Sequence, residues 1–169
     1  TMYTQFNLIS NTDYKVEHNS YFETEGDKTT RIKKSYLEDE VFNVLRMSPL
    51  LLPLGTIQLI PPANYIQLKH LQIQSYKAIT SLIPYDRKEI SGSNLMQYKI
   101  VYPQLKRSIR IVFENKAPYK IMGWFEKFPS SFDGKTRTTS AILKAQKMLP
   151  YWRQNSLKDA YLRKELGLN

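Results

Sequence analysis

"MQYKIVYPQLKRSIRIVFE" (96–114) carries the clearest structural signal in this chain. Tyr98, Ile100 and Tyr102 alternate with Gln97, Lys99 and Val101. Ile109, Ile111 and Phe113 alternate with Ser108, Arg110 and Val112. A two-residue period sends successive side chains to opposite faces of a strand. "PQLK" (103–106) supplies the turn, so the stretch reads as an antiparallel hairpin. Tyr98 and Tyr102 share parity with Ile100, which assigns them to the buried face.

Working outward, "NKAP" turns into "YKIMGWFEKF" (119–128), and "PSSFDGK" turns into "TRTTSAILKAQKM" (136–148). Four consecutive strands with short turns make a meander. Upstream, "MYTQFNLI" (2–9), "YKVEHNSYFET" (14–24) and "TTRIKKS" (29–35) read as an antiparallel start. "GTIQLIP" (55–61) is extended. "NYIQLKHLQIQSYKAIT" (64–80) reads as one long strand that needs a bulge to keep a single face buried. "PYDRKEISGSN" (84–94) reads as a polar, mobile loop.

Two segments carry helical spacing. In "KKSYLEDEVFNVLRM" (33–47), Leu37, Val41, Val44 and Leu45 share one helical face. Ser35 followed by Glu38 reads as a capping box. Glu38, Asp39 and Glu40 then occupy the first turn, where free N–H groups favour negative charge. Consecutive helical residues fan out by roughly 100° each, so these acids are not expected to converge on a metal. In "SLKDAYLRKELGLN" (156–169), Ser156 is placed to cap, Asp159 stands at N3 and Gly167 forms a C-terminal stop. The expected fold is a β-rich α+β domain spanning 1–169. Its curved antiparallel sheet, a half-barrel-like meander, comes from 2–34 and 55–148. One internal helix lies near 36–47 and one C-terminal helix near 156–166.

Composition narrows the chemistry. The 169 residues include no Cys, which excludes disulfides, thiolate metal sites and a thiol nucleophile. The two histidines, His18 and His70, both fall on expected strands and outside any metal-ligand spacing. There is no G-x-S-x-G elbow, and the six glycines form no phosphate loop. No catalytic residue, metal site or cofactor is expected. No apolar run reaches the length of a membrane-spanning helix.

The net charge of +10 is uneven: residues 101–150 hold ten Lys and Arg against three acids, whereas residues 1–50 hold six against eight. Lys106, Arg107, Arg110, Lys116 and Lys120 mark a stripe suited to anionic head groups or an acidic partner surface. The same residues leave a nucleic-acid-binding module as the alternative reading, disfavoured because Tyr98 and Tyr102 face inward. Met96, Met122, Trp124, Met148 and Trp152 are flexible or large apolar groups that could line a cavity for an apolar ligand.

Several phrases together resemble a known family. "YLEDEVFNVLRMSP", "LPLGTIQLIPPANYIQLKH", "YPQLKRSIRIVFENKAPYKIMGWFEKF" and "YWRQNSLKDAYLRKELGLN" are similar to uncharacterised Bacteroidota envelope proteins, often labelled "septum formation inhibitor Maf". True Maf proteins are nucleotide pyrophosphatases whose Ser- and Arg-rich loop and paired acids have no counterpart here. "PYKIMGW" (118–124) also resembles a strand phrase of periplasmic lipoprotein-carrier half-barrels. The resemblance implies an exported protein on the periplasmic side of the envelope, lipid-anchored at the outer membrane in its full-length form. It implies that this chain is the C-terminal part of a longer precursor, since Thr1-Met2 stands where the family carries a Cys-Gly pair. The expected function is a non-enzymatic envelope protein that binds an apolar ligand or serves in an envelope complex. A hydrolase ranks third.

Overall fold

The computed structural model describes residues 3–19 and 26–168. It is β-rich, as the alternation requires, but its strands divide between two sheets. The first holds β1 (Tyr3–Ser10), β2 (Asp13–Asn19) and β3 (Lys28–Lys33), all antiparallel. The expected strand ends at Met2 and at 20–24 lie outside the described residues.

The second sheet is open and seven-stranded, in the order β10-β9-β8-β7-β6-β5-β4. It is built from β4 (Tyr36–Leu37), β5 (Gly55–Ile60), β6 (Tyr76–Pro84), β7 (Leu95–Tyr102), β8 (Arg107–Glu114), β9 (Ile121–Pro129) and β10 (Thr136–Ile142). Pairing is antiparallel from β5 to β10, and β4 joins β5 in parallel. The two sheets separate at Lys34-Ser35, where the chain leaves β3 and crosses to β4, beside β5. Ser35 Oγ donates to the Gln58 carbonyl at 2.6 Å and fixes the crossing.

The hairpin 96–114 forms as the alternation dictates, with Ile100 opposite Ile109 and Tyr98 opposite Ile111. Its apolar face is fully buried at Tyr98, Ile100, Tyr102, Ile111 and Phe113. Helix α1 (Val41–Met47) lays Val41 and Leu45 on that face. These residues are one turn apart and meet the sheet together. Thr80 and Tyr98 hydroxyls both donate to the Pro53 carbonyl at 2.7 Å, which ties the α1–β5 connection to the core. Burial pushes the Tyr98 phenol up to about 12.

The opposite face is covered by the 85–94 segment, expected to be mobile. Ile90 is buried there against Leu95, Val112 and Phe125, so one apolar residue in a polar stretch anchors it. Gly123 makes the fit possible. A Cβ at this position would stand 2.6 Å from the Ala141 carbonyl oxygen and 2.8 Å from Ile90 Cδ1.

Two further expectations are corrected. The capping box at Ser35 does not form. A 3-10 turn (Glu38–Glu40) precedes α1, its N-cap is Leu37, and Ser35 serves the strand crossing instead. The acids do occupy a first turn, but Glu38 is buried. Second, 64–80 is not one strand. Pro62 caps a short helix α2 (Ala63–Leu68), and β6 begins only at Tyr76. Proline's fixed φ suits a helix start, and a helix of six residues is too short to show a period. Two internal α-helices, α1 and α2, thus stand among the described residues where one was expected. The C-terminal helix stands where expected, as a 3-10 turn (Leu157–Ala160) leading into α3 (Tyr161–Glu165). Its capping box is present: Asp159 Oδ2 accepts the Ser156 N–H at 3.0 Å.

Candidate functional site

Helix α2 lies between the two sheets and presents a different residue to each. Tyr65 faces the large sheet, where its ring lies 4.6 Å from the Arg107 guanidinium carbon and edge-on to Phe128 at 5.4 Å. Gln67 faces the small sheet, where its amide donates to Thr4 Oγ1 at 3.3 Å.

Beside the small-sheet face of α2 opens a cleft of about 600 Å³. This lies within the range of about 300–1,000 Å³ usual for small-molecule sites. Ile32, Ile66, Leu71 and Ile73 give it an apolar lining. His18, Lys28, Gln67 and His70 supply its polar groups.

The strand register explains this composition. Thr4 pairs with His18 and His18 with Lys28, a cross-strand row on one face of the small sheet. Val16 and Thr30 form the next row on that face, with Val16 fully buried. Thr4 Oγ1 lies 2.9 Å from His18 Nδ1 and holds the imidazole in place. Arg31 also borders the cleft, but its parity is opposite. Its guanidinium turns to Asp13 at 3.0 Å.

The far wall comes from the end of α2. His70 N–H donates to the Gln67 carbonyl at 3.1 Å and Leu71 N–H to the Ile66 carbonyl at 2.9 Å. This is a Schellman stop, with a contact between the residues at its two ends. Here those residues are Ile66 and Leu71, both on the cleft. The position that usually takes glycine holds His70 at φ 50°. The left-handed backbone costs a non-glycine residue roughly 1–2 kcal/mol.

Beneath α2, on its Tyr65 side, lies a buried charge network. Arg107 Nη1 and Nη2 each donate to a Glu38 carboxylate oxygen at 2.6 Å, and Nε donates to Glu126 at 2.6 Å. Tyr102 donates its hydroxyl to Glu38 at 2.7 Å. Burial, then the neighbouring Glu38 charge, pushes the Tyr102 phenol far above its ordinary range. It stays a donor at any working pH. All three guanidinium nitrogens of the plane that Tyr65 covers donate to carboxylates, so the network acts as a rigid base for α2.

The residues singled out in the sequence scatter. Met96 and Trp124 pack against the α1 side of the large sheet, and Met122 against the Ile90 side. Met148 and Trp152 are exposed on the C-terminal segment. These five line no common cavity. Met122 and Trp124 share sequence parity, but the register shift between Val112 and Phe113 leaves Met122 without a partner on β8 and turns it to the opposite face.

The basic stripe divides too. Arg107 is internal, 2 % exposed, because its parity is that of Tyr102 and Ile109. Arg110 lies over the Phe125 ring at 4.2 Å and binds Glu89 at 2.7 Å. Lys106 and Lys116 are exposed and Lys120 half-buried, at opposite ends of β8. Among the described residues no group of three His, Cys, Asp or Glu converges to hold a metal ion. No helix among them is long and apolar enough to cross a membrane.

Both histidines belong to the cleft, which sequence spacing could not show. His18 is on the strand assigned to it, but His70 ends a helix. The legible sign was the Pro-Pro pair at 61–62, which marks a helix start that the alternating residues after it obscure. A comparison with protein-family models, curated proteins and solved structures finds no match.

Proposed function

We propose that the protein is a non-enzymatic, cell-envelope binding protein whose ligand is an amphipathic anion held between the small sheet and α2. The observation that carries this reading is the cleft's division into an aliphatic lining and a polar rim that includes the Lys28 ammonium. Ile32, Ile66, Leu71 and Ile73 take an acyl or similar chain. Lys28, with the His18 and His70 rings beside it, takes a carboxylate or phosphate head. A Lys ammonium is a compact point charge that suits such a head group without demanding one geometry. The envelope setting follows from the sequence resemblance, whereas an apolar ligand was expected from Met96, Met122, Trp124, Met148 and Trp152. The binding site moves from the C-terminal methionines and tryptophans to the N-terminal sheet.

Native mass spectrometry of gently purified protein tests the reading. The expected result is a co-purified amphiphile on the wild-type chain that is absent from Leu71→Trp, which fills the cleft with an indole. A lipid-free wild-type protein, or equal loading of the two chains, contradicts it.

A further inference from the structure

The C-terminal segment after β10 is tied to the large sheet by the Leu143 N–H, which donates to the Met122 carbonyl at 2.9 Å. Beyond that point its turn and cap hydrogen bonds are internal, from Arg153 N–H to Pro150 through Leu168 N–H to Arg163. Lys147 pairs with Glu165 and folds the segment onto itself. The result is an arm with an unusual surface. Met148 is 97 % and Leu157 96 % exposed, and Trp152 is 63 % exposed, with Tyr151 and Tyr161 also outward. Residues 143–168 carry six Lys and Arg against two acids.

Three kinds of partner could cover such an arm. A second copy of the chain would bring the same excess of positive charge into contact with itself. Single-stranded nucleic acid would use the aromatic rings and the charge, but it would leave Met148 and Leu157 in water, since stacking needs a π face. An anionic bilayer surface uses all three properties together. Trp and Tyr settle at the headgroup boundary, aliphatic side chains enter the acyl edge, and basic groups meet lipid phosphates.

We propose that residues 143–168 form a membrane-surface arm that docks on anionic lipid. Met148, Trp152 and Leu157 enter the interface, and Lys144, Arg153, Lys158 and Lys164 meet the headgroups. The arm acts independently of the cleft, so a protein that binds no amphiphile in the cleft still docks. The charged hairpin ends at Lys106 and Lys116 contribute little, because no exposed apolar group accompanies them in the same segment.

The full chain with Trp124→Phe leaves Trp152 as the only indole and permits a direct test. Trp152 emission should shift to the blue on addition of vesicles of about 30 % phosphatidylglycerol in phosphatidylcholine, and not with phosphatidylcholine alone. Co-sedimentation of the unmodified protein should follow the same pattern. Leu157→Asp or Met148→Asp should weaken binding by roughly tenfold or more with unchanged melting temperature. Lys106→Glu with Lys116→Glu should leave binding within a factor of about two. The proposal is overturned by the absence of a blue shift, or by binding that depends on Lys106 and Lys116 but not on Leu157. It is also overturned if Trp152 instead reports tight, salt-resistant binding of a single-stranded oligonucleotide, or a self-association that Leu157→Asp abolishes.

Discussion

Arg107 and Glu38, 69 positions apart in the chain, meet inside the protein through two parallel hydrogen bonds of 2.6 Å each. Neither group is more than 2 % exposed. Removing one partner of such a pair leaves an uncompensated buried charge, at a cost of about 3–5 kcal/mol. Glu38→Gln should therefore lower unfolding stability by about 3 kcal/mol in denaturant titrations. Arg107→Met should cost a similar amount, and the double variant should cost clearly less than the two together. Additive losses would mean that the two side chains do not share one network.

His70 offers a separation of backbone from side chain. Both Ala and Gly remove the imidazole, but only Gly relieves the left-handed backbone at φ 50°. His70→Gly should be more stable than His70→Ala by about 1 kcal/mol. Equal stabilities would show that this residue is not held in that conformation in solution.

Gly123 sets a packing limit. The nearest atom to an added Cβ is backbone, the Ala141 carbonyl oxygen at 2.6 Å, which cannot turn aside as a flexible side chain could. Gly123→Ala should cost about 1–3 kcal/mol, as overpacking does. Amide exchange should speed up in β10 and in the Ile90 segment before it does in β7 and β8. Unchanged exchange in β10 would contradict the close approach of these strands.

Acid should loosen the first hairpin. Hydrogen bonds from the Thr12 hydroxyl, then from Arg31, hold the Asp13 carboxyl well below the usual carboxylate range. A carboxylate depressed in the folded state stabilises the fold above its unfolded value of about 3.9, and that contribution fades as pH falls below it. Wild type should melt higher than Asp13→Asn at neutral pH, with the gap narrowing below about pH 4. A gap that stays constant down to acid pH would show that the contacts of Asp13 do not depend on its charge.

The hairpin 96–114 was legible because each of its strands has one wet and one dry face, which writes an alternation into the sequence. β10 was legible only from its turn, since Thr136 to Ser140 are all exposed polar residues. Two features were hidden for the opposite reason. The helix α2 buries Tyr65 toward one sheet and Ile66 toward the other, so two adjacent residues are apolar and no helical stripe forms. Arg107 looked like a surface cation because charge in a sequence does not reveal its partner, and Glu38 lies far upstream. Its parity with Tyr102 and Ile109 was the available sign that it faces inward. The cleft depends on the small sheet standing apart and meeting α2, a relationship that no local pattern encodes.

The central claim is that the cleft between the small sheet and α2 binds an amphipathic anion through its aliphatic lining and Lys28. Isothermal titration of the full chain with dodecanoate, alongside Lys28→Glu and Leu71→Trp, tests it most directly. The account predicts saturable one-to-one binding by wild type. Lys28→Glu should weaken it by roughly tenfold or more, the size of a lost charge-assisted hydrogen bond, and Leu71→Trp should abolish it. No saturable heat with the wild-type chain, or equal binding by all three chains, would contradict the account.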